Sequence, residues 1–153
     1  MKIISGGQTG VDRAALDAAM ATGITHGGWC PRGRLAEDGI IPAHYQLCET
    51  ESTEYAVRTE RNVVDSDATL LLCRGPLTGG TELTRRLAIK HKRPHLIVNL
   101  LENPQPSAVA DWLKAIRAVT LNVAGPRESQ NPGIAKEAKD FLVAVFARWH
   151  TDG

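Results

Sequence analysis

The 153-residue sequence predicts an α/β fold: a doubly wound, mostly parallel, Rossmann-like sheet of about five strands in one domain spanning 1–153. Three observations carry that expectation. Short apolar runs alternate with helical stretches along the chain. Four glycine-bearing loops each follow such a run: Ser5–Gly10, Gly27–Gly33, Gly75–Thr81 and Ala124–Ser129. No repeat, low-complexity tract or linker divides a length that suits a single core.

The elements follow in order. Lys2–Ser5 is a β-prone start. Val11–Thr22 is alanine-rich, with Val11, Ala14, Ala15, Leu16, Ala18 and Ala19 covering one side of a helix that Gly23 ends. Thr9, three residues ahead of Asp12, resembles a capping box. Gly23–Leu47 is irregular, broken by Gly, Pro and charge, and Tyr45–Cys48 is the candidate second strand. Ser52 opens a Glu- and Arg-rich helix to about Val64. Ala68–Cys73 is a continuous apolar run between polar residues, the signature of a buried parallel strand. A helix runs from Thr81 through Ile89, with basic residues near its end, as the macrodipole prefers. His95–Val98 follows Pro94 as a strand. Ser107 caps a helix to about Arg117, and Val119–Val123 is the last strand. A final helix from Gly133 carries Phe141, Val145 and Trp149 on one stripe, with Leu142 and Phe146 beside it. Right-handed crossovers bring the loops after Ile4, Cys73 and Val123 to one edge of the sheet.

Composition narrows the function. With 42% hydrophobic and 23% charged residues, the chain reads as a soluble globular protein. A net charge of +1 lacks the basic excess of a dedicated nucleic-acid binder, so nucleic acid is not the expected partner. Cys30, Cys48 and Cys73 form no CxxC pair, which suits a reducing cytoplasm better than disulfides or a zinc site. No apolar run approaches the ~20 residues needed to cross a bilayer. The expected location is the cytoplasm.

The loops supply the chemistry. Gly6, Gly7, Gln8, Thr9 and Gly10 lie between a strand and a helix N-terminus, where free amides and the helix dipole attract an anion. A tight turn for close packing is the alternative reading. No Gly-Lys-Ser/Thr follows, so this is not a Walker loop, and GxGxxG is absent too. Thr78, Gly79, Gly80 and Thr81 repeat the arrangement, with hydroxyls and amides for phosphate oxygens. Arg32 and Arg127 add cations, and Trp29 is a candidate for stacking on a planar ring or for the core. Glu82 and Asp12 are the candidate acids or bases, Glu82 more naturally a helix N-terminal charge. No metal ligand set is expected.

Several of these stretches, with others, follow the order of a known family. Ile4–Asp17, Gly27–Arg34, Ala36–Gly39, Arg58–Glu60, Asn62–Val63, Asp65–Thr69, Gly75–Thr81 and Asn122–Ser129 resemble the molybdenum cofactor carrier family. That family is similar to a Rossmann-like superfamily containing cytokinin-activating phosphoribohydrolases and the DNA-processing protein A. The resemblance implies dimers or tetramers and, for one branch, binding of the molybdenum cofactor, a phosphorylated pterin dithiolene (molybdopterin). The phosphoribohydrolases carry Pro-Gly-Gly-x-Gly-Thr with a downstream glutamate; Leu77–Thr81 is a variant, and Glu82 is not at that offset.

The leading expectation is therefore a carrier of a phosphorylated heterocycle, the molybdenum cofactor among them, rather than an enzyme. A nucleoside-monophosphate phosphoribohydrolase is the first alternative, and a nucleotide or single-stranded nucleic-acid binding module the second.

Overall fold

The computed structural model of the chain describes residues 1–152; Gly153, the last residue of the expected domain, lies outside them. In chain order the elements are β1 (Lys2–Ile4), α1 (Val11–Ala21), β2 (Thr25–Gly27), β3 (Trp29–Cys30), β4 (Leu35–Ala36), β5 (Gly39–Ile40) and β6 (Cys48–Glu49). Then come α2 (Tyr55–Val64), β7 (Ala68–Cys73), α3 (Gly79–Lys90), β8 (His95–Asn99), a 3-10 turn at Leu100–Glu102, α4 (Pro106–Ile116), β9 (Thr120–Ala124) and α5 (Ile134–Asp152).

Five strands form one parallel sheet in the order β2-β1-β9-β7-β8. Counting from β9 turns this into 3-2-1-4-5, the doubly wound order, with its first strand–helix unit moved to the end of the chain. The order reverses between β9 and β7. Ligands of such sheets bind beyond the carboxyl ends of the strands at that reversal, so the loops after β7 and β9 flank the expected crevice.

β7 sits inside the sheet and is buried along its whole length. Leu70 and Leu72 join Leu121 and Val123 in the main core, against α1, α4 and α5. The pleat turns Thr69 and Leu71 to the opposite face, where α2 and α3 pack together. On α5, Leu142, Val145 and Phe146 are fully buried, while Phe141 and Trp149 flank the core. Each fully buried side chain of this kind contributes roughly 1.5–3 kcal/mol.

The expectation for the second strand needs correction. Thr25–Gly27 is the strand beside β1, paired Lys2 to Thr25 through Ile4 to Gly27. Of Tyr45–Cys48 only Cys48 is extended, in a two-residue pairing of β6 with β3 outside the main sheet. Tyr45 instead turns inward, packing with Leu16, Cys30 and Ile41 in a second small core. Three residues are too few for a periodicity signal, which is why β2 left no trace in the sequence pattern.

Candidate functional site

The loops after β1 and β9 are locked together by close backbone approach. Gly10, with φ at 81°, precedes α1 in a region that side chains rarely adopt. A Cβ there would sit 2.3 Å from the Pro126 carbonyl oxygen, the same oxygen that accepts the Val11 amide at 3.2 Å. Capping follows from this contact. The N-cap is Gly10, and no side chain caps α1, so Thr9 is free for other work.

Beyond β7 the chain turns through Gly75 and starts α3 at Gly79, two residues before the helix expected from Thr81. The amides of Gly79 and Gly80 have no acceptor among the described residues, and a Cβ at Gly80 would meet open space. Free first-turn amides and the positive end of the helix dipole together favour an anion.

These loops meet at a cleft whose walls include Gln8, Asp12, Arg58, Gly80, Thr81 and Arg127. Arg58 dominates it. Its guanidinium reaches from α2 across Gly6, hydrogen-bonds Thr59 Oγ1 at 2.9 Å and lies 5.6 Å from the Tyr55 ring centroid. Its side chain is 13% exposed, and Nη2 is 3.9 Å from Asp12 Oδ2. Nε is buried without a hydrogen-bond partner among the described residues. A buried donor left unpaired costs about 1–3 kcal/mol. Arg127 supplies a second cation, 39% exposed at its side chain.

Asp12 is the one carboxylate on the walls. Burial pushes its carboxyl above the usual aspartate range, although Arg58 and the Gln8 amide at 3.3 Å pull the other way.

In the first glycine loop two of the expected amides are taken, while those of Gly6, Gly7 and Gly10 have no acceptor among the described residues. The Gln8 amide goes to Asp12, and the Thr9 amide goes to the Gln8 side chain at 3.1 Å. Gly7 faces Ile41 and Leu47, and Gly6 forms the floor under Arg58. Gln8 still borders the cleft, and its Oε1 also accepts the Glu37 amide at 2.9 Å. The loop contributes a floor and a wall, and the start of α3 adds the free amides of Gly79 and Gly80.

Of the other expected site residues, Thr81 is buried on the cleft wall and Thr78 is exposed at the N-cap of α3. Glu82 lies outside the cleft lining. Hydrogen bonds from Arg85 at 2.6 and 2.9 Å, with Arg86 beyond, hold its carboxyl down to about 2. Arg32 is exposed away from the cleft, its amide bonded to Ser52 O. Trp29 lines a separate groove with Lys2 and Cys48, its Nε1 bonded to Asp65 at 2.7 Å and its ring under Arg61. Neither Arg32 nor Trp29 is brought to the cleft lined by Arg58 and Gly80.

Sequence reasoning named Arg58 only within the family-like stretch Arg58–Glu60 and gave it no place in the site. The available signal was the inward face of α2: its buried positions include Thr59 and Asn62, polar where a purely structural helix would present apolar side chains.

A hairpin of β4 and β5 closes over the edge of the site. Arg13 grips Asp38 with two nitrogens at 2.6 and 2.8 Å and donates to the Gly7 carbonyl at 3.0 Å. The neighbouring Glu37 accepts from the Thr9 hydroxyl, the Ser129 amide at 3.2 Å and the Ser129 hydroxyl. Burial opposes the charge on Glu37, but the hydrogen bonds from Ser129 and Thr9 win and hold its carboxyl below the usual range.

This arrangement matches a known family on both sequence and topology. The family model described as "Circularly permutated YpsA SLOG family" covers residues 3–146. The chain belongs to the circularly permutated YpsA SLOG family. Counted from β9, the sheet of this SLOG chain follows the doubly wound order, with β9 and α5 in the place of the first strand and helix. The structure is similar to that of a protein from Syntrophus aciditrophicus SB named as a candidate molybdenum carrier, at 44% identity over 94% of this chain and 93% of that one, with a TM-score of 0.89. No curated protein matches the chain. Among the described residues, no helix is long and apolar enough to cross a membrane.

Proposed function

We propose that this SLOG-family chain is a carrier that binds a phosphorylated heterocycle through the phosphate, with the molybdenum cofactor as the first cargo to test. The observation that carries the reading is Arg58, with its buried Nε unpartnered among the described residues, lining the same cleft as Gly80 at the N-terminus of α3. A guanidinium edge and two free amides suit a tetrahedral dianion. Gly79, Gly80, Thr81 and Arg58 would hold the phosphate, and Arg127 would add charge at the mouth. The likeness to a candidate molybdenum carrier supports the choice of cargo.

The residues fit the phosphate end of that cofactor. Binding is favoured over bond cleavage through Glu82, because Glu82 is tied to Arg85 and Arg86 outside the cleft. Anaerobic incubation of the purified chain with molybdopterin, followed by size exclusion, tests the proposal. Co-elution that is lost in Arg58→Gln supports it. No retention by the wild type, or equal retention by the variant, overturns it.

A further inference from the structure

Arg58 and Asp12 occupy the cleft as a loose, buried pair: 3.9 Å apart, with side chains 13% and 5% exposed. One positive and one negative charge leave the buried part of the site near neutral. A dianion entering to reach the Arg58 guanidinium would put a second negative group beside a carboxylate that is already shielded from water. Two like charges in a poorly solvated site disfavour each other's ionisation strongly.

From this geometry, which rests on the anion-cleft reading above, we infer that the cleft binds its anion together with one proton, and that Asp12 is the specificity-determining group that shares or holds it. An anion with its own O–H, such as hydrogen phosphate, donates that hydrogen to the Asp12 carboxylate. An anion without one, such as sulfate or a fully ionised phosphate monoester, requires Asp12 to take a proton from solvent. Anions that can do neither are rejected at alkaline pH.

The groups facing Asp12 are consistent with this. Arg58 comes from α2, and the Tyr55 phenol from the same helix lines the cleft. Arg13, one residue along α1, is committed to Asp38, and Arg127 stands at the mouth, 3.9 Å from Glu37. From α3 and β9 come only the uncharged Thr81, Thr84 and Asn122. Asp12 therefore has no second carboxylate in the lining with which to share the proton. Burial raises the Asp12 carboxyl, the same direction in which an incoming anion would move it.

Sulfate is the probe, because its charge stays constant from about pH 5 to about pH 8, so a pH dependence of its binding there comes from the protein. Binding is followed at the Gly79 and Gly80 amide resonances. The wild type is expected to bind sulfate more tightly at the lower pH, by up to about tenfold per pH unit, the limit for one linked proton. Asp12→Asn is expected to bind with little pH dependence and more tightly than wild type at about pH 8. In weakly buffered solution the wild type takes up close to one proton per sulfate, a measurement that stands even if the variant does not fold. Equal wild-type affinities at both pH values, or an Asp12→Asn variant that keeps the wild-type slope, overturn the proton link and leave the anion site standing. No response of either amide at any pH overturns the anion site and the proton link together.

Discussion

The guanidinium of Arg58 lies face-on against Gly6, so close that a Cβ at residue 6 would sit 2.6 Å from its central carbon. Gly6 has no positive φ among the backbone angles of this chain, so its role is clearance rather than conformation. The cleft's cation is thus positioned by the absence of a methyl group in a different loop.

Gly6→Ala separates binding from folding. The obstructing group is the end of a flexible side chain, which can swing aside, so stability should fall by no more than about 1 kcal/mol. Displacing Arg58 should nevertheless weaken sulfate binding about tenfold or more, the worth of one charge-assisted hydrogen bond. Urea melts and an amide titration measure the two quantities on one sample. A large loss of stability with intact binding would show that Gly6 serves packing alone.

Gly10→Ala should do the reverse of a mild change. Here the collision is with backbone, the Pro126 carbonyl at 2.3 Å, and φ is 81°. Neither can relax without parting the loops after β1 and β9. The expected cost exceeds about 2 kcal/mol, a drop of about 5 °C or more in Tm for a domain of this size. Calorimetry checks it, and a Tm within a degree of wild type contradicts the interlock.

These two glycines show what the sequence could and could not disclose. The glycine loops, their alternation with strands and the edge they share were legible, because each is a local pattern constrained by a general rule of parallel sheets. β7 was legible because six buried residues in a row leave an apolar run. What each glycine does was not legible. Gly6, Gly7 and Gly10 sit within one motif, yet one clears an arginine, one packs on Ile41 and Leu47, and one admits a carbonyl from β9's loop. Those differences come from partners distant in the chain. Arg58 was hidden for the same reason: in sequence it is one of several arginines on a polar helix, and only the fold lays it across the first loop. Arg32 shows the converse, a cation in a promising motif that the fold carries elsewhere.

Glu82→Gln tests whether proximity in sequence to Gly79 and Gly80 means participation. Glu82 is already an ionised carboxylate satisfied by Arg85 and Arg86 outside the cleft lining. Its substitution should change sulfate affinity by less than about twofold, as expected for a screened surface charge. Arg58→Gln in the same titration should abolish the response. If the Glu82 variant loses as much affinity as the Arg58 variant, the cleft as drawn here is wrong.

The hairpin over the site predicts an acid-dependent loss of stability. Hydrogen bonds from Arg13 hold the Asp38 carboxyl below its ordinary range. A carboxyl depressed in the folded state stabilises fully above its unfolded value of about 4, and that contribution disappears as pH falls through the lower, folded value. Asp38→Asn should therefore destabilise the chain at about pH 7 and lose its effect as pH falls through the folded-state value of Asp38, where the wild type also loses the charge. The size at neutral pH should stay below about 1 kcal/mol, because the Asp38 side chain is 49% exposed and water screens the pair. Urea melts of both proteins across that range provide the comparison. A variant deficit that persists unchanged into acid would mean that Asp38 acts through packing or neutral hydrogen bonds, and the hairpin would then be held chiefly by Glu37 and its contacts with Thr9 and Ser129.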